Sequence, residues 1–319
     1  MGTLSLNDYE DVSIWVPWGH IAGRWYGNRK ERPILAIHGF LDNLGSYDRL
    51  IPLLPDYLGV LCIDLPGHGY SSPLPPGIHY DFFDSAFLIA RIMKEFKWSK
   101  VSLMGHSFGA LLGFIYTSLA PHTVDLVISI EAVLSPMETP DFTETKKLRI
   151  EKYLEEEERN ASAIIYEPTS YTLESLTDFV SKITFQSVPK EFAHHLLKRT
   201  ICKSRLYPNK FYIAKDNRVK YFNELLFGPE FGAEMARRIG KKPFLIIKGC
   251  DSPFITEQSN EIISILGYQN PQFEFHEVSG LHHVHLSNAT ECAKYINPFL
   301  NQHRANSEEK AFSRKSHKL

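Results

Sequence analysis

The nine residues VSLMGHSFG, at positions 101–109, are followed by an apolar stretch that continues to Leu119. The first four residues form a short apolar run typical of a buried strand, and the stretch after Ser107 has a helical pattern. A serine in the order G-x-S-x-G occupies the sharp turn through which a strand passes directly into a helix. Side chains two residues before and after that serine would collide, which explains Gly105 and Gly109. The stretch therefore predicts Ser107 as a nucleophile.

Further strand-length apolar runs occur on both sides of this turn. Most are apolar throughout instead of alternating with polar residues, as is typical of strands covered on both faces. Helical patterns at 82–97 and 108–119 separate several of them. Strands that alternate with helices predict an α/β fold with a mostly parallel central sheet flanked by helices. The predicted strands, besides 101–104, are 34–37, 59–63, 126–130, 243–247 and 273–278.

The alternation of strands and helices is interrupted in the middle of the chain. Residues 136–240 contain helical patterns and no convincing buried strand, whereas the last two strand candidates follow this segment. We therefore predict that residues 1–135 and 241–303 form the α/β core and that residues 136–240 are a helical cap insertion. Residues 304–319 are polar and predict a disordered tail.

Composition limits the class of partner. The 319 residues include 35 basic and 37 acidic side chains, for a net charge of -2. This balance lacks the basic excess of a nucleic-acid-binding protein. The apolar runs are too short for a transmembrane segment. These observations argue against nucleic acid and against a membrane span. The partner that we expect, given Ser107, is a small-molecule acyl substrate, and the sequence leaves the oligomeric state open.

Two features bear on cellular location. The first ten residues lack the charged start and apolar run of a signal peptide, and the four cysteines are widely spaced, as free thiols in a reducing compartment would be. These features predict a cytoplasmic protein. The last three residues, His317-Lys318-Leu319, differ from the peroxisomal S-K-L signal by a histidine in place of the serine, so a peroxisomal location is the alternative.

Two backbone N–H groups are candidates for an oxyanion hole. The N–H of Phe108 follows the candidate nucleophile and is aimed at a developing oxyanion by the turn. His38-Gly39-Phe40 directly follows the predicted strand 34–37, and a turn there can supply the N–H of Phe40 as the second donor. The glycine-rich stretch DLPGHGYSS, at 64–72, follows another strand and predicts a structural loop.

These motifs together resemble the α/β-hydrolase superfamily and, more narrowly, the serine hydrolase-like (kraken-like) family of animals. The resemblance covers nearly the whole chain and implies the fold, a serine mechanism and the absence of a cofactor. It does not imply a substrate. The stretches that carry it are VPWGHIAGRWYG at 16–27, HGFLDNLGSYDRLIPLLP at 38–55, DLPGHGYSS at 64–72, GHSFG at 105–109 and the late G-x-H at 280–282.

The general base is expected after the last strand, because this fold has the order serine, acid, histidine. His282 follows the predicted strand 273–278 and is our candidate, with His285 as the competitor. His276 and His283 lie close by in the sequence, and clustered histidines occur in zinc sites. No carboxylate or cysteine completes a recognisable ligand pattern, so no metal is expected.

Two carboxylates compete to orient the histidine. Glu131 ends the predicted strand 126–130, where a charge is poorly hydrated unless paired. Asp251 follows the predicted strand 243–247, which is the commoner position in the superfamily, but it comes one residue early and Ser252 occupies the usual place. Strand ends like that of Glu131 supply the acid in some haloalkane dehalogenases. The sequence favours Glu131 and leaves Asp251 open.

The predicted reaction is transfer of an acyl group to water through an acyl-enzyme. Candidate substrates are esters, thioesters and related acyl compounds, as for a carboxylic-ester hydrolase. Dehalogenases and epoxide hydrolases of this shape use an aspartate nucleophile, and Ser107 argues against both. The alternative is a non-enzymatic, ligand-binding member of the fold.

Overall fold

The computed structural model describes residues 2–134, 142–163, 167–221 and 228–304. The strands in these residues are β1 (Tyr9–Val16), β2 (Gly19–Gly27), β3 (Ile34–Ile37), β4 (Gly59–Ile63), β5 (Val101–His106), β6 (Val124–Ile130), β7 (Tyr171–Thr172), β8 (Ile201–Lys203), β9 (Lys210–Ile213), β10 (Phe244–Gly249) and β11 (Phe273–Val278). The α-helices are α1 (Phe82–Glu95), α2 (Phe108–Leu119), α3 (Phe142–Ala163), α4 (Leu173–Ile183), α5 (Ala193–Leu197), α6 (Pro229–Ile239), α7 (Asn260–Gln269), α8 (Val284–Ser287) and α9 (Ala289–His303).

The central sheet has the strand order β1-β2-β4-β3-β5-β6-β10-β11. β1, β2 and β4 pair antiparallel, and every pair from β4 to β11 is parallel. All residues of β3, β4 and β5 are buried, as expected where helices cover both faces of a parallel sheet. The predicted fold class is confirmed, and each of the six predicted strands lies within two residues of its predicted bounds.

Helices pack on both faces of the sheet. Alternate residues of β3 face opposite layers, with Leu35 and Ile37 in one apolar cluster and Ile34 and Ala36 in the other. Helices α1, α2, α6 and α7 contribute to the first cluster, and α9 contributes to the second. Asp81 begins α1 by accepting hydrogen bonds from the backbone N–H groups of Phe83 and Asp84, as an N-cap does.

The antiparallel pair β1 and β2 was missed by the sequence analysis. Only Ile14 and Val16 of β1 are fully buried, and Trp15 between them is 65% exposed. The alternation of buried and exposed residues is confined to the last residues of β1. It is therefore a weaker signal than the continuously apolar runs from which the other strands were predicted.

The segment between β6 and β10 contains strands as well as helices. Helices α3, α4, α5 and α6 lie in it, and β7, β9 and β8 form a three-stranded antiparallel sheet that the helical prediction did not include. Helix α6 packs against α2 and α7 of the core, although the prediction assigned it to the cap. The boundaries 136–240 stay a prediction, and residues 305–319, including the C-terminal tripeptide, lie outside the described residues.

Among the described helices, none has the length and apolar character needed to cross a membrane.

Candidate active site

Ser107 lies in the turn between β5 and α2. Its backbone angles are φ 49° and ψ -114°, a region that side-chain-bearing residues rarely occupy. The backbone N–H of Ser107 donates to the carbonyl of Ile130 at 2.9 Å, so the neighbouring strand β6 supports the strained turn. Strain of this kind persists where the surrounding structure fixes the backbone, and it concentrates at functional sites.

The two glycines of the motif are required by backbone contacts. A Cβ atom on Gly105 would lie 2.4 Å from the backbone N of Ala110, and one on Gly109 would lie 2.1 Å from the carbonyl oxygen of Ile37. Both distances are far below van der Waals contact with backbone that cannot move aside. The predicted collision is therefore seen on both sides of the turn.

His282 is hydrogen-bonded to Ser107. The Ser107 Oγ atom lies 2.8 Å from Nε2 of His282, a distance at which the hydroxyl donates to a neutral imidazole. Burial lowers the pKa of His282, which keeps the ring neutral and able to accept a proton. The ring of Phe254 stacks on the imidazole at 3.8 Å and covers one of its faces.

Glu131 lies on the other side of the imidazole. Nδ1 of His282 is 2.9 Å from Oε2 of Glu131, and the glutamate is fully buried. The backbone N–H of Gly249 donates to Oε1, and the hydroxyl of Ser252 donates to Oε2. Burial raises the pKa of the Glu131 carboxyl, whereas these two donors act against that rise by favouring the carboxylate.

Ser252 is a site residue that the sequence analysis did not assign. It occupies the chain position where the superfamily more often has an aspartate, and here its hydroxyl contacts the acid from the other strand. The signal was present in the sequence as this departure from the common pattern, but which group the hydroxyl meets depends on the tertiary structure.

Asp251 and His285, the alternative candidates for the acid and the base, lie outside this hydrogen-bonded series. Asp251 is exposed, and its backbone N–H donates to the carbonyl of Gly280 at 3.1 Å. His285 is fully buried, and neither of its ring nitrogens has a hydrogen-bond partner among the described residues. Its ring packs 4.0 Å from that of His106. The structure thus places Glu131 and His282 in a series of hydrogen bonds that ends at Ser107. Neither Asp251 nor His285 belongs to that series.

The candidate oxyanion residues flank Ser107. Phe108 begins α2, where the helix dipole places partial positive charge. Phe40 follows β3 and lines the same cavity as Ser107, and the two phenylalanine rings meet edge to face at 6.3 Å. Leu41, next to Phe40, has φ 64°. The loop that carries Phe40 is therefore strained, like the turn that carries Ser107.

A cavity of about 340 Å³ opens beside Ser107 and His282. Its wall is formed by the core and by the segment between β6 and β10, and Lys215 adds one cationic side chain. A second cavity, of about 1120 Å³, lies between α3 and α4 and is lined by neither Ser107 nor His282. The apolar side chains around the first cavity include Phe40, Val180, Ile183, Leu197, Ile213 and Phe254.

The loop 64–72 has a structural role, as predicted from its glycines. The Asp64 carboxylate accepts hydrogen bonds from the backbone N–H groups of Leu44 and Tyr70, each at 2.9 Å. It also pairs with Arg199 of the inserted segment at 2.6 Å, and both side chains are at most 5% exposed. This buried ion pair joins the inserted segment to the core next to the site.

Comparison with known proteins agrees with this architecture. The alpha/beta hydrolase fold family matches residues 32–289. The chain is 33% identical over 303 residues to a probable serine hydrolase of Drosophila melanogaster, covering 94% of this chain and 90% of that protein. It is 29% identical over 303 residues to Serine hydrolase-like protein 2 of Homo sapiens, with coverages of 91% and 93%. These matches confirm the resemblance predicted from the sequence.

Among solved structures, the thioesterase domain from the curacin biosynthetic pathway is similar in fold. Its TM-score is 0.73 at 21% sequence identity, covering 91% of this chain and 99% of that domain. A likeness at this level of identity concerns the fold alone.

Proposed function

The chain belongs to the alpha/beta hydrolase fold family and is a hydrolase, and we propose that it acts as a serine hydrolase with the triad Ser107, His282 and Glu131. The observation that supports the triad most directly is the unbroken series of contacts from Ser107 Oγ to His282 Nε2, at 2.8 Å, and from His282 Nδ1 to Glu131 Oε2, at 2.9 Å. Nucleophile, base and orienting acid thus occur in the order that acyl transfer requires.

Acylation begins when the Ser107 oxygen attacks the carbonyl carbon of the substrate and its proton passes to Nε2 of His282. Glu131 stabilises the resulting imidazolium through Nδ1. We assign the oxyanion of the tetrahedral intermediate to the N–H groups of Phe40 and Phe108. When the intermediate collapses, His282 returns the proton to the leaving alcohol or thiol, and the acyl group remains on Ser107 as an ester.

Deacylation repeats these steps with water. His282 takes one proton from the attacking water, and the oxygen adds to the acyl carbon. The second intermediate then releases a carboxylic acid, and the proton on His282 goes back to the Ser107 oxygen. The cycle consumes one water and needs no cofactor.

The substrate class that we propose is an ester or thioester with an apolar acyl group. The cavity beside Ser107 has about 340 Å³ and mostly apolar walls, which suits an acyl chain of limited size. Val180, Ile183 and Leu197 of the wall come from the segment 136–240. We therefore propose that this segment works as a cap that selects the acyl group.

A fluorophosphonate probe tests the proposal, because it phosphonylates only an activated serine. We expect stoichiometric labelling, with peptide mapping placing the adduct on Ser107, and turnover of a panel of p-nitrophenyl esters of graded chain length. An unlabelled protein that binds acyl ligands without hydrolysing them would instead support the non-enzymatic alternative.

A further inference from the structure

Three side chains with metal-ligating atoms meet on the wall of the Ser107 cavity. Asp42 Oδ2 lies 3.2 Å from Nε2 of His283 and 3.5 Å from Nδ1 of His106. The three ligand atoms all lie within 4.8 Å of one another, and none of the side chains is more than 8% exposed. They come from the loop after β3, the end of β5 and the loop after β11. All three line the cavity.

The hydrogen bonds of His106 fix its tautomer. Its Nε2 lies 2.9 Å from the backbone carbonyl oxygen of His282, and a carbonyl can only accept, so Nε2 carries the proton. A neutral His106 therefore presents the lone pair of Nδ1 toward Asp42. Nδ1 makes no hydrogen bond within the described part of the chain.

His283 is hydrogen-bonded through both of its ring nitrogens. Oγ of Ser187 lies 2.6 Å from Nδ1 of His283 and 2.6 Å from the carbonyl oxygen of Thr184. Nε2 of His283 lies 3.2 Å from Oδ2 of Asp42, and because a carboxylate can only accept, Nε2–H donates this hydrogen bond. A proton of His283 thus lies between one imidazole and the carboxylate, whereas Nδ1 of His106 faces the same carboxylate oxygen at 3.5 Å and has no hydrogen bond among the described residues. A divalent cation that displaces this proton would join all three groups.

We propose that Asp42, His106 and His283 form a binding site for a divalent transition metal, with Zn²⁺ as the best fit. Two imidazole nitrogens and one carboxylate oxygen are common zinc ligands, and at bond lengths of about 2.0–2.1 Å a tetrahedral ion separates its ligands by about 3.3 Å. The two distances from Asp42, 3.2 and 3.5 Å, match this separation, and the two imidazole nitrogens, which lie within 4.8 Å of each other, close to it when both bind the ion. Because all three residues line the cavity, solvent can reach the remaining coordination position.

The sequence analysis expected no metal because no carboxylate or cysteine completed a recognisable ligand pattern with the late histidines. Asp42 supplies it from 241 positions away. A metal bound here would join the loop that carries Phe40, the nucleophile turn and the loop that carries His282. Binding should therefore stabilise the folded protein in proportion to metal concentration. This inference is independent of the proposed reaction.

The test uses the full-length protein after chelation and dialysis. Titration with Co²⁺ should give visible absorption bands of a low-symmetry site that saturate at one ion per chain, and Zn²⁺ should displace them. Zn²⁺ should also raise the melting temperature. Asp42→Asn and His283→Gln should each weaken Zn²⁺ affinity by more than about 100-fold, because removing a ligand costs at least as much as removing its supporting partner.

Controls address the other metal-binding side chains. Cys202 and Cys250 are exposed thiols, and the rings of His194 and His195 lie 4.0 Å apart. A Cys202→Ser/Cys250→Ser variant and a His194→Gln variant should keep wild-type Zn²⁺ affinity. Loss of binding in these controls with retention in Asp42→Asn would overturn the proposal, as would a dissociation constant above about 100 µM for the wild type.

Crystals of the wild type soaked in Zn²⁺ give a test that does not depend on how the variants fold. An anomalous peak between the three side chains supports the site. A wild-type crystal with zinc peaks only elsewhere would refute it.

Discussion

The hydroxyl of Ser252 donates to the same carboxylate oxygen of Glu131 that faces Nδ1 of His282. Ser252 stands where the superfamily more often carries the acid, and Glu131 comes from the strand that pairs with β10. The two alternative acid positions of the fold therefore meet within one hydrogen bond, one filled by a carboxylate and the other by a hydroxyl that orients it.

The first prediction concerns the nucleophile. Ser107→Ala should lower kcat/KM for p-nitrophenyl esters by about 10⁴- to 10⁶-fold, as removal of a serine nucleophile does elsewhere. It should also abolish fluorophosphonate labelling while the circular dichroism spectrum is kept. Ser13→Ala, on the exposed side of β1, is the matched control and should behave as wild type. Undiminished hydrolysis by the purified Ser107 variant would remove this residue from the mechanism.

The second prediction separates the two acids. Glu131→Gln keeps the shape of the side chain but removes the charge that stabilises the imidazolium, so kcat should fall by up to about 10⁴-fold. Asp251→Asn, at an exposed carboxylate, should change kcat less than about threefold. Steady-state kinetics on one ester measure both. A nearly inactive Asp251 variant together with a nearly normal Glu131 variant would reverse the assignment.

The third prediction concerns a variant in which the acid is moved from position 131 to position 252. In the Glu131→Gln background, Ser252→Asp places a carboxylate within reach of Nδ1 of His282, so at least about tenfold of the lost kcat should return. Ser252→Asn in the same background is the control, because it has the same shape without the charge, and it should give no recovery. Equal activities of the two double variants would show that position 252 cannot supply the acid.

The fourth prediction concerns the ion pair between the inserted segment and the core. Arg199→Met leaves the Asp64 carboxylate buried without its counter-ion, which should lower the free energy of unfolding by about 3–5 kcal/mol. Urea denaturation measures the change. Arg237→Met removes an exposed pair with Glu234 and should cost less than about 1 kcal/mol. Similar losses of unfolding free energy in both variants would show that the buried pair contributes no more to stability than the exposed pair.

The fifth prediction concerns location, and its residues lie outside those that the structure describes. If His317-Lys318-Leu319 is a working signal, a fluorescent protein carrying the last dozen residues of the chain should collect in peroxisomes, because this address is read by a receptor. The same fusion without the final leucine is the control and should stay diffuse. A diffuse signal from both fusions would exclude the peroxisomal alternative and leave the cytoplasm.

The sequence by itself determined the features that depend on neighbouring residues. Gly105 and Gly109 mark the turn because any side chain at these positions would collide with nearby backbone. The apolar runs mark the buried strands because a strand covered on both faces needs apolar residues throughout. The same local patterns placed Ser107 in the turn after one predicted strand and His282 after the last predicted strand. The half-exposed pair β1 and β2 gave too weak an alternation to be found in this way.

The tertiary structure decided which distant groups meet. Glu131 reaches His282 across 151 positions because β10 pairs in parallel with β6 on one side and with β11 on the other, which brings the residues after all three strands to one edge of the sheet. At that edge the Glu131 carboxylate is buried against His282 with Ser252 beside it, whereas Asp251 is exposed. Asp42 joins His106 and His283 at the same edge. No spacing along the chain carries this information, since register between strands is fixed only when the whole sheet assembles.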